Sequence, residues 1–149
     1  VIGATPTYEH RQTAQWLILI TAVPAVLMAM GAFMTGAVGL FVPAVLLLVL
    51  GVNFAMLVTR VDANGVSWAY TFGWPGLTIA FADIDRVEMT KTNFWEGWGI
   101  HWTIWHGWLW NVSGYGAVMI HRRGAGAITV GTDDPHGLYD AIERARAKP

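Results

Sequence analysis

Between Arg11 and Arg60 the chain runs for 48 residues without an Asp, Glu, Lys or Arg, and apolar side chains fill most of that run. A membrane-crossing helix takes about 20 apolar residues, so the run has room for two. The pattern predicts one helix over 16–34 (WLILITAVPAVLMAMGAFM) and a second over 40–58 (LFVPAVLLLVLGVNFAMLV), joined by a turn at Thr35-Gly36-Ala37-Val38-Gly39. Pro24 and Pro43 lie inside these stretches. Proline is tolerated in membrane helices, so local kinks are expected there and not breaks. The result is a two-helix transmembrane hairpin with both ends on one side. A cleaved signal peptide has an apolar region of about 7–15 residues followed by a small-residue cleavage site. Here a second apolar segment follows at once, which favours the hairpin. The chain opens on Val1 instead of Met, which leaves open whether residues precede it.

Past Arg60 the period changes. Asn64-Gly65 is a hairpin-turn signal, and Val66, Trp68, Tyr70 and Phe72 then alternate as a half-buried strand does. Leu77, Ile79 and Phe81 alternate after Trp74-Pro75-Gly76, and 84–89 reads as a further strand. Trp108, Trp110 and Val112, then Val118 and Ile120, then Ile128 and Val130 continue the pattern between turn residues. Short strands at such intervals predict an antiparallel sheet folded over on itself. At Asp133-Asp134-Pro135 the period switches to helical, with an Asp cap and a proline at the first position. Leu138, Ala141, Ile142 and Ala145 form the apolar stripe of that last helix. The expected organisation is an N-terminal tail over 1–15, the hairpin over 16–59 and a soluble domain over 60–149.

Composition sharpens this division. The whole chain is only 13% charged, about half the usual share, and the hairpin accounts for most of the deficit. Residues 61–149 hold nine acidic and seven basic side chains, a net charge of −2. That is close to an ordinary soluble domain. The absence of cysteine excludes disulfide scaffolds, Cys-ligated zinc and Cys nucleophiles. A net charge of −1 argues against nucleic acid as a partner. Arg11 and Arg60 flank the open end of the hairpin, whereas its turn has no Lys or Arg. The positive-inside rule then places both termini in the cytoplasm.

Three motifs have a familiar form. Gly97-Trp98-Gly99-Ile100, Trp110-Asn111-Val112-Ser113-Gly114 and Gly131-Thr132-Asp133-Asp134-Pro135 before a helix resemble those of bacterial membrane-anchored PH-like (pleckstrin-homology-like) domains. These are small proteins with one or two membrane helices ahead of a barrel. The resemblance covers about 60–149 in motif and the hairpin in layout. It implies seven strands in two sheets forming an antiparallel barrel, with the C-terminal helix capping one end. It implies little about function, because fold does not give function. The chain departs from the family in its tryptophans: six of the nine fall between 95 and 110.

Those tryptophans are the candidate interaction site. Trp95, Trp98, Trp102 and Trp105 are spaced as one helix face, yet Ile100, Trp102, Ile104, Trp108 and Trp110 alternate as a strand would. Gly97, Gly99 and Gly107 disfavour a long helix. Six Trp exceed what a small core can absorb, so Trp95, Trp98, Trp102, Trp105 and Trp108 are candidates for an exposed patch. Trp favours both protein contacts and the membrane–water interface, and core packing is the third reading. Within the hairpin, Asn53 is a costly polar group unless bonded and is expected to face the other helix or a partner. Thr21 is expected to bond back to its own backbone, and Gly31 and Gly51 to permit close packing.

The remaining chemistry is sparse. His10, His101, His106, His121 and His136 have no metal-ligand spacing. Asp133 and Asp134 read as helix capping, and Gly124-Ala125-Gly126 precedes a strand and so reads as a hairpin turn. Arg86, Lys91, Arg122 and Arg123 are interspersed with acids, whereas anionic-lipid capture uses clusters of about 4–8 basic residues. Strong phosphoinositide binding is therefore not expected. No catalytic residue, metal or cofactor is expected. The sequence points to an α + β, non-catalytic integral protein of a bacterial inner membrane, presenting its PH-like domain at the cytoplasmic surface. Its expected role is an accessory or assembly subunit of a larger membrane complex, of respiratory or photosynthetic type. The alternative is a stand-alone or homo-oligomeric scaffold or sensor, and an enzyme is the remote third reading.

Overall fold

A computed structural model describes residues 6–147. The first five residues of the expected tail and the last two of the expected domain lie outside the described residues.

The helices emerge from within a β-sheet. Strand β1 (Tyr8–Thr13) leads into helix α1 (Gln15–Thr35), and helix α2 (Phe41–Phe54) leads into β2 (Met56–Val61). β1 and β2 pair antiparallel, with Thr13 opposite Met56 and Tyr8 opposite Val61. The segment expected to be a tail is thus the edge strand of a sheet. The second helix also ends earlier than its apolar run. Met56–Val61 continues apolar and β-branched, but with the alternating burial of a strand: Leu57, Thr59 and Val61 point inward.

Helix α1 has 21 residues, about 31 Å at 1.5 Å per residue, and is long and apolar enough to cross a membrane. Helix α2 has 14 residues and, with the 3-10 turn Val38–Leu40 before it, makes a shorter apolar helical run. Gly36, with φ +73°, ends α1. Pro24 is accommodated inside α1. Pro43 falls in the first turn of α2, where its missing N–H goes unused.

The two helices pack through small residues. Ala25 and Ala32 of α1, and Ala44 and Gly51 of α2, are buried. Each pair is seven residues apart, the repeat that keeps a seam on one side of a helix. A Cβ added to Gly51 would lie 2.0 Å from Thr21 Oγ1. The Thr21 hydroxyl donates to Leu17 O at 2.8 Å. Gly31 is roomier, with Leu40 Cδ1 at 3.9 Å from the equivalent position. Gly51→Ala is expected to lower the stability of the protein by about 1–3 kcal/mol through overpacking. Gly31→Ala is expected to leave it unchanged or slightly raised, since Ala is the better helix former. Thermal unfolding of both variants separates a packed glycine from a merely tolerated one.

The rest of the chain forms β3 (Gly65–Tyr70), β4 (Gly76–Ala80), β5 (Ile84–Lys91), β6 (Gly99–Thr103), β7 (Gly107–Asn111), β8 (Gly116–Arg122), β9 (Ile128–Gly131) and helix α3 (Pro135–Arg146). One sheet has the order β1-β2-β3-β4 and the other β5-β8-β9-β7-β6. The β7–β9 pair is parallel. Among the described residues the sheets do not close into a barrel, and there are nine strands where the resemblance implies seven. The difference comes partly from β1, which is recruited from ahead of the helices.

Between the sheets, Trp68 and Tyr70 of β3 meet Trp110 of β7, with ring centroids 6.0 and 6.2 Å away. Phe54, the last residue of α2, packs edge-on against Tyr70 at 4.7 Å. The helix pair is therefore anchored in the core. Helix α3 buries Leu138, Ala141 and Ile142 against β5 and β8 on one side and β1 and β2 on the other. Asp134 caps it by accepting from Gly137 N at 2.9 Å. Asp134 also accepts a hydrogen bond from the Tyr8 hydroxyl at 3.1 Å, which ties α3 to β1. Burial, together with the Asp134 carboxylate, pushes the Tyr8 phenol well above its ordinary pKa.

Candidate functional site

The tryptophan-rich segment is a strap followed by a hairpin, not a helix. Positive φ at Gly97, Gly99 and Gly107 interrupts any helical run, since that region is natural only to glycine. The strap begins with a short turn, Phe94–Glu96, closed by a capping box in which Asn93 and Glu96 bond each other's backbone. Asn111 then holds its far end, accepting from Gly99 N at 2.9 Å and donating to Gly97 O at 3.2 Å.

The register of the second sheet shows what the strap covers. Ile100, Trp102, Trp108 and Trp110 share one face with Val118, Ile120, Ile128 and Val130. Leu109, Ala117, Met119 and Thr129 share the opposite face, and they too are buried. His106 lies on that opposite face. Its Nδ1 is 2.5 Å from Glu96 Oε1, its Nε2 is 3.2 Å from Thr90 Oγ1, and its carbonyl accepts from Thr129 Oγ1 at 2.7 Å. The His106 and Glu96 side chains are only 9% and 7% exposed. A buried polar pair of this kind fixes conformation. Glu96 is thus the clasp that holds the strap against the sheet, with both imidazole nitrogens engaged.

With its polar groups turned inward, the strap presents its aromatics outward. Trp95 is 91% exposed and Phe94 is exposed beside it. Trp98 packs against Trp16 at the start of α1 with the ring planes tilted, centroid to centroid 5.1 Å, and Phe94 touches both Trp98 and Trp95. Trp102 and Trp108 face each other across the β6–β7 hairpin, beyond the edge of the core, and Trp105 sits exposed in its turn. The five expected tryptophans therefore form two groups. Trp95 and Trp98 belong to the strap at the root of α1, whereas Trp102, Trp105 and Trp108 belong to the hairpin tip and its other face.

Asn53 is buried but does not face the other helix. Its side chain donates to Trp74 O at 2.9 Å and accepts from Phe72 N at 3.1 Å. Thr71 adds bonds to Asn53 O and Val52 O. These contacts pin the β3–β4 turn to the end of α2, with Phe72 and Trp74 exposed. Between the two helix roots lies a cleft of about 360 Å³, lined by Trp16, Leu17, Phe54, Trp98 and Val112 among others.

No family model, curated protein or solved structure matches the chain. The chemistry of the site therefore rests on its own residues.

Arg11 and Arg60 share one carboxylate. Arg60 Nε donates to Glu9 at 2.7 Å and Arg11 at 2.8 Å, which holds the Glu9 carboxyl below its usual range. Histidines pair with carboxylates elsewhere too: His10 with Asp133, and His121 with Glu88 at 2.7 Å. The hydrogen bond from His121 holds the Glu88 carboxyl low. Among the described residues no three His, Asp or Glu side chains converge as a metal site would require. The Glu96–His106 and His10–Asp133 pairs join positions that no periodicity links, so the sequence carried no signal for them.

Proposed function

We propose that this is a non-catalytic integral membrane protein whose two helices form a transmembrane hairpin and carry a PH-like interaction domain on the cytoplasmic side of a bacterial inner membrane. The observation that carries the reading is the uncovered apolar surface of α1: only Ala25 and Ala32 of its 21 residues are buried. Such a surface is stable in lipid and not in water. Arg11 and Arg60 lie on the domain side of the helices, in keeping with cytoplasmic termini. The favoured role is an accessory or assembly subunit of a larger membrane complex. Exposed Trp102, Ile104, Trp105 and Trp108 at the β6–β7 tip supply aromatic side chains of the type that dominate protein contacts.

Purification in a gentle detergent followed by mass spectrometry is the test. Membrane subunits in stoichiometric yield are expected. Trp102→Ala and Trp105→Ala should lower that yield at least tenfold while the unfolding temperature stays within a few degrees. Recovery of a lone monomer or a homo-oligomer would overturn the accessory role in favour of a scaffold.

A further inference from the structure

The aromatic side chains at the helix roots are not scattered. On the α1 side, Trp16, Trp98, Phe94 and Trp95 make a continuous chain of ring contacts. On the α2 side, Asn53 fixes the turn that presents Phe72 and Trp74, and Trp74 is 72% exposed. The segments that supply these groups carry almost no charge. Residues 63–82 contain no Asp, Glu, Lys or Arg, and neither do residues 97–121. The one acid in the strap, Glu96, is turned inward to His106.

Charge collects instead toward the other end of the first sheet. Glu9 and Arg60 pair there, and Asp62 and Arg144 line a cleft beyond the far ends of β1 and β2. At about 3.4 Å per residue, the six residues of β1 set that end roughly 20 Å from the helix roots. The domain is therefore polarised along the axis on which the helices leave it.

We infer that the domain does not hang free on its anchor but lies against the bilayer, with Phe72, Trp74, Phe94, Trp95 and Trp98 inserted at the headgroup–acyl boundary of the lipid. The inference rests on the membrane-hairpin reading above. Trp is at home at that boundary because its ring is apolar and its N–H is polar. The surface carrying these side chains is continuous with the helix pair, so lipid that surrounds the helices reaches them directly. The absence of a basic cluster fits a contact made by ring insertion and not by anionic headgroup capture.

The chain has no cysteine, so single-cysteine variants need no background substitution. Phe72→Cys, Trp74→Cys and Trp95→Cys report the surface, Leu46→Cys reports α2, and Arg144→Cys reports the far end. Each is nitroxide-labelled in the full chain and reconstituted in phosphatidylethanolamine–phosphatidylglycerol vesicles. Collision with oxygen is compared with collision with a water-soluble nickel chelate. Phe72, Trp74 and Trp95 are exposed, so replacing them leaves the core intact, and circular dichroism checks each variant.

Labels at 72, 74 and 95 are expected to favour oxygen over nickel at least several-fold more than the label at 144, with the label at 46 deepest. A lipid-like label at 46 with water-like labels at 72, 74 and 95 overturns the inference and spares the hairpin. Labels at 72, 74 and 95 shielded from both reagents overturn it in favour of a protein contact. A water-like label at 46 removes the hairpin reading and the inference together.

Discussion

Replacing Gln15–Phe54 by Asn-Gly is expected to release the protein from membranes into the soluble fraction with its two sheets intact. Ala14 N already donates to Ala55 O at 2.7 Å, and Thr13 lies opposite Met56. The ends of β1 and β2 are therefore placed as the ends of a two-residue hairpin are. Asn-Gly supplies the positive φ that such a turn needs. The change removes Phe54 from Tyr70, Leu17 from the edge of the core and the Asn53 bonds that hold the β3–β4 turn, and the lost Phe54 packing alone costs about 3–5 kcal/mol by analogy with large-to-small core changes. Cell fractionation, strand content by circular dichroism and a cooperative thermal transition check the result. A soluble fraction that is empty or unfolded would mean that the helices are needed to build the sheet and do not merely anchor it.

The second large effect is expected at the clasp. Glu96→Ala leaves buried His106 without its carboxylate and removes half of the capping box at Asn93. Deleting one partner of a buried pair costs about 3–5 kcal/mol. Glu96→Gln keeps an oxygen acceptor and most of the volume, so its loss should be clearly smaller. The damage should be concentrated in the strap. In Glu96→Ala, limited proteolysis is expected to cut within 92–98, and Trp emission should change as the Trp16–Trp98 contact opens. Equal loss in the Ala and Gln variants would show that volume and a single retained acceptor contribute nothing, and no loss in Glu96→Ala would show that the pair does not hold the strap.

Much of the fold was legible because its parts announce themselves by period. Val66, Trp68 and Tyr70 alternate and form β3. Leu138, Ala141 and Ile142 fall on one face and become the buried stripe of α3. Two strands were hidden for opposite reasons. β1 (YEHRQT) is an edge strand with only Gln12 fully buried, so it reads as polar. β2 follows α2 after Ala55 alone, with no charge, Gly or Pro at the boundary, so hydropathy merges strand and helix. Asn53 illustrates a different limit. Its need for partners was visible, but the partners are backbone groups of a turn some twenty positions on. The same holds for Glu96 and His106, whose meeting depends on the strap folding over a face of the sheet that no local pattern reveals. The tryptophans were visible as a count and not as two groups, because only the register of β6 with β7 assigns their faces.

That β1 precedes the helices and β2 follows them has a consequence for biosynthesis. The first strand leaves the ribosome before its partner exists, and it stays an unpaired edge until both helices have been made. Closing so long a loop carries an entropic cost in solution. On the proposed transmembrane-hairpin reading, a helix pair inserted in lipid would hold Ala14 close to Ala55 and shorten the loop that β1 and β2 have to close. The bilayer would then act as a template for the first pairing of the sheet.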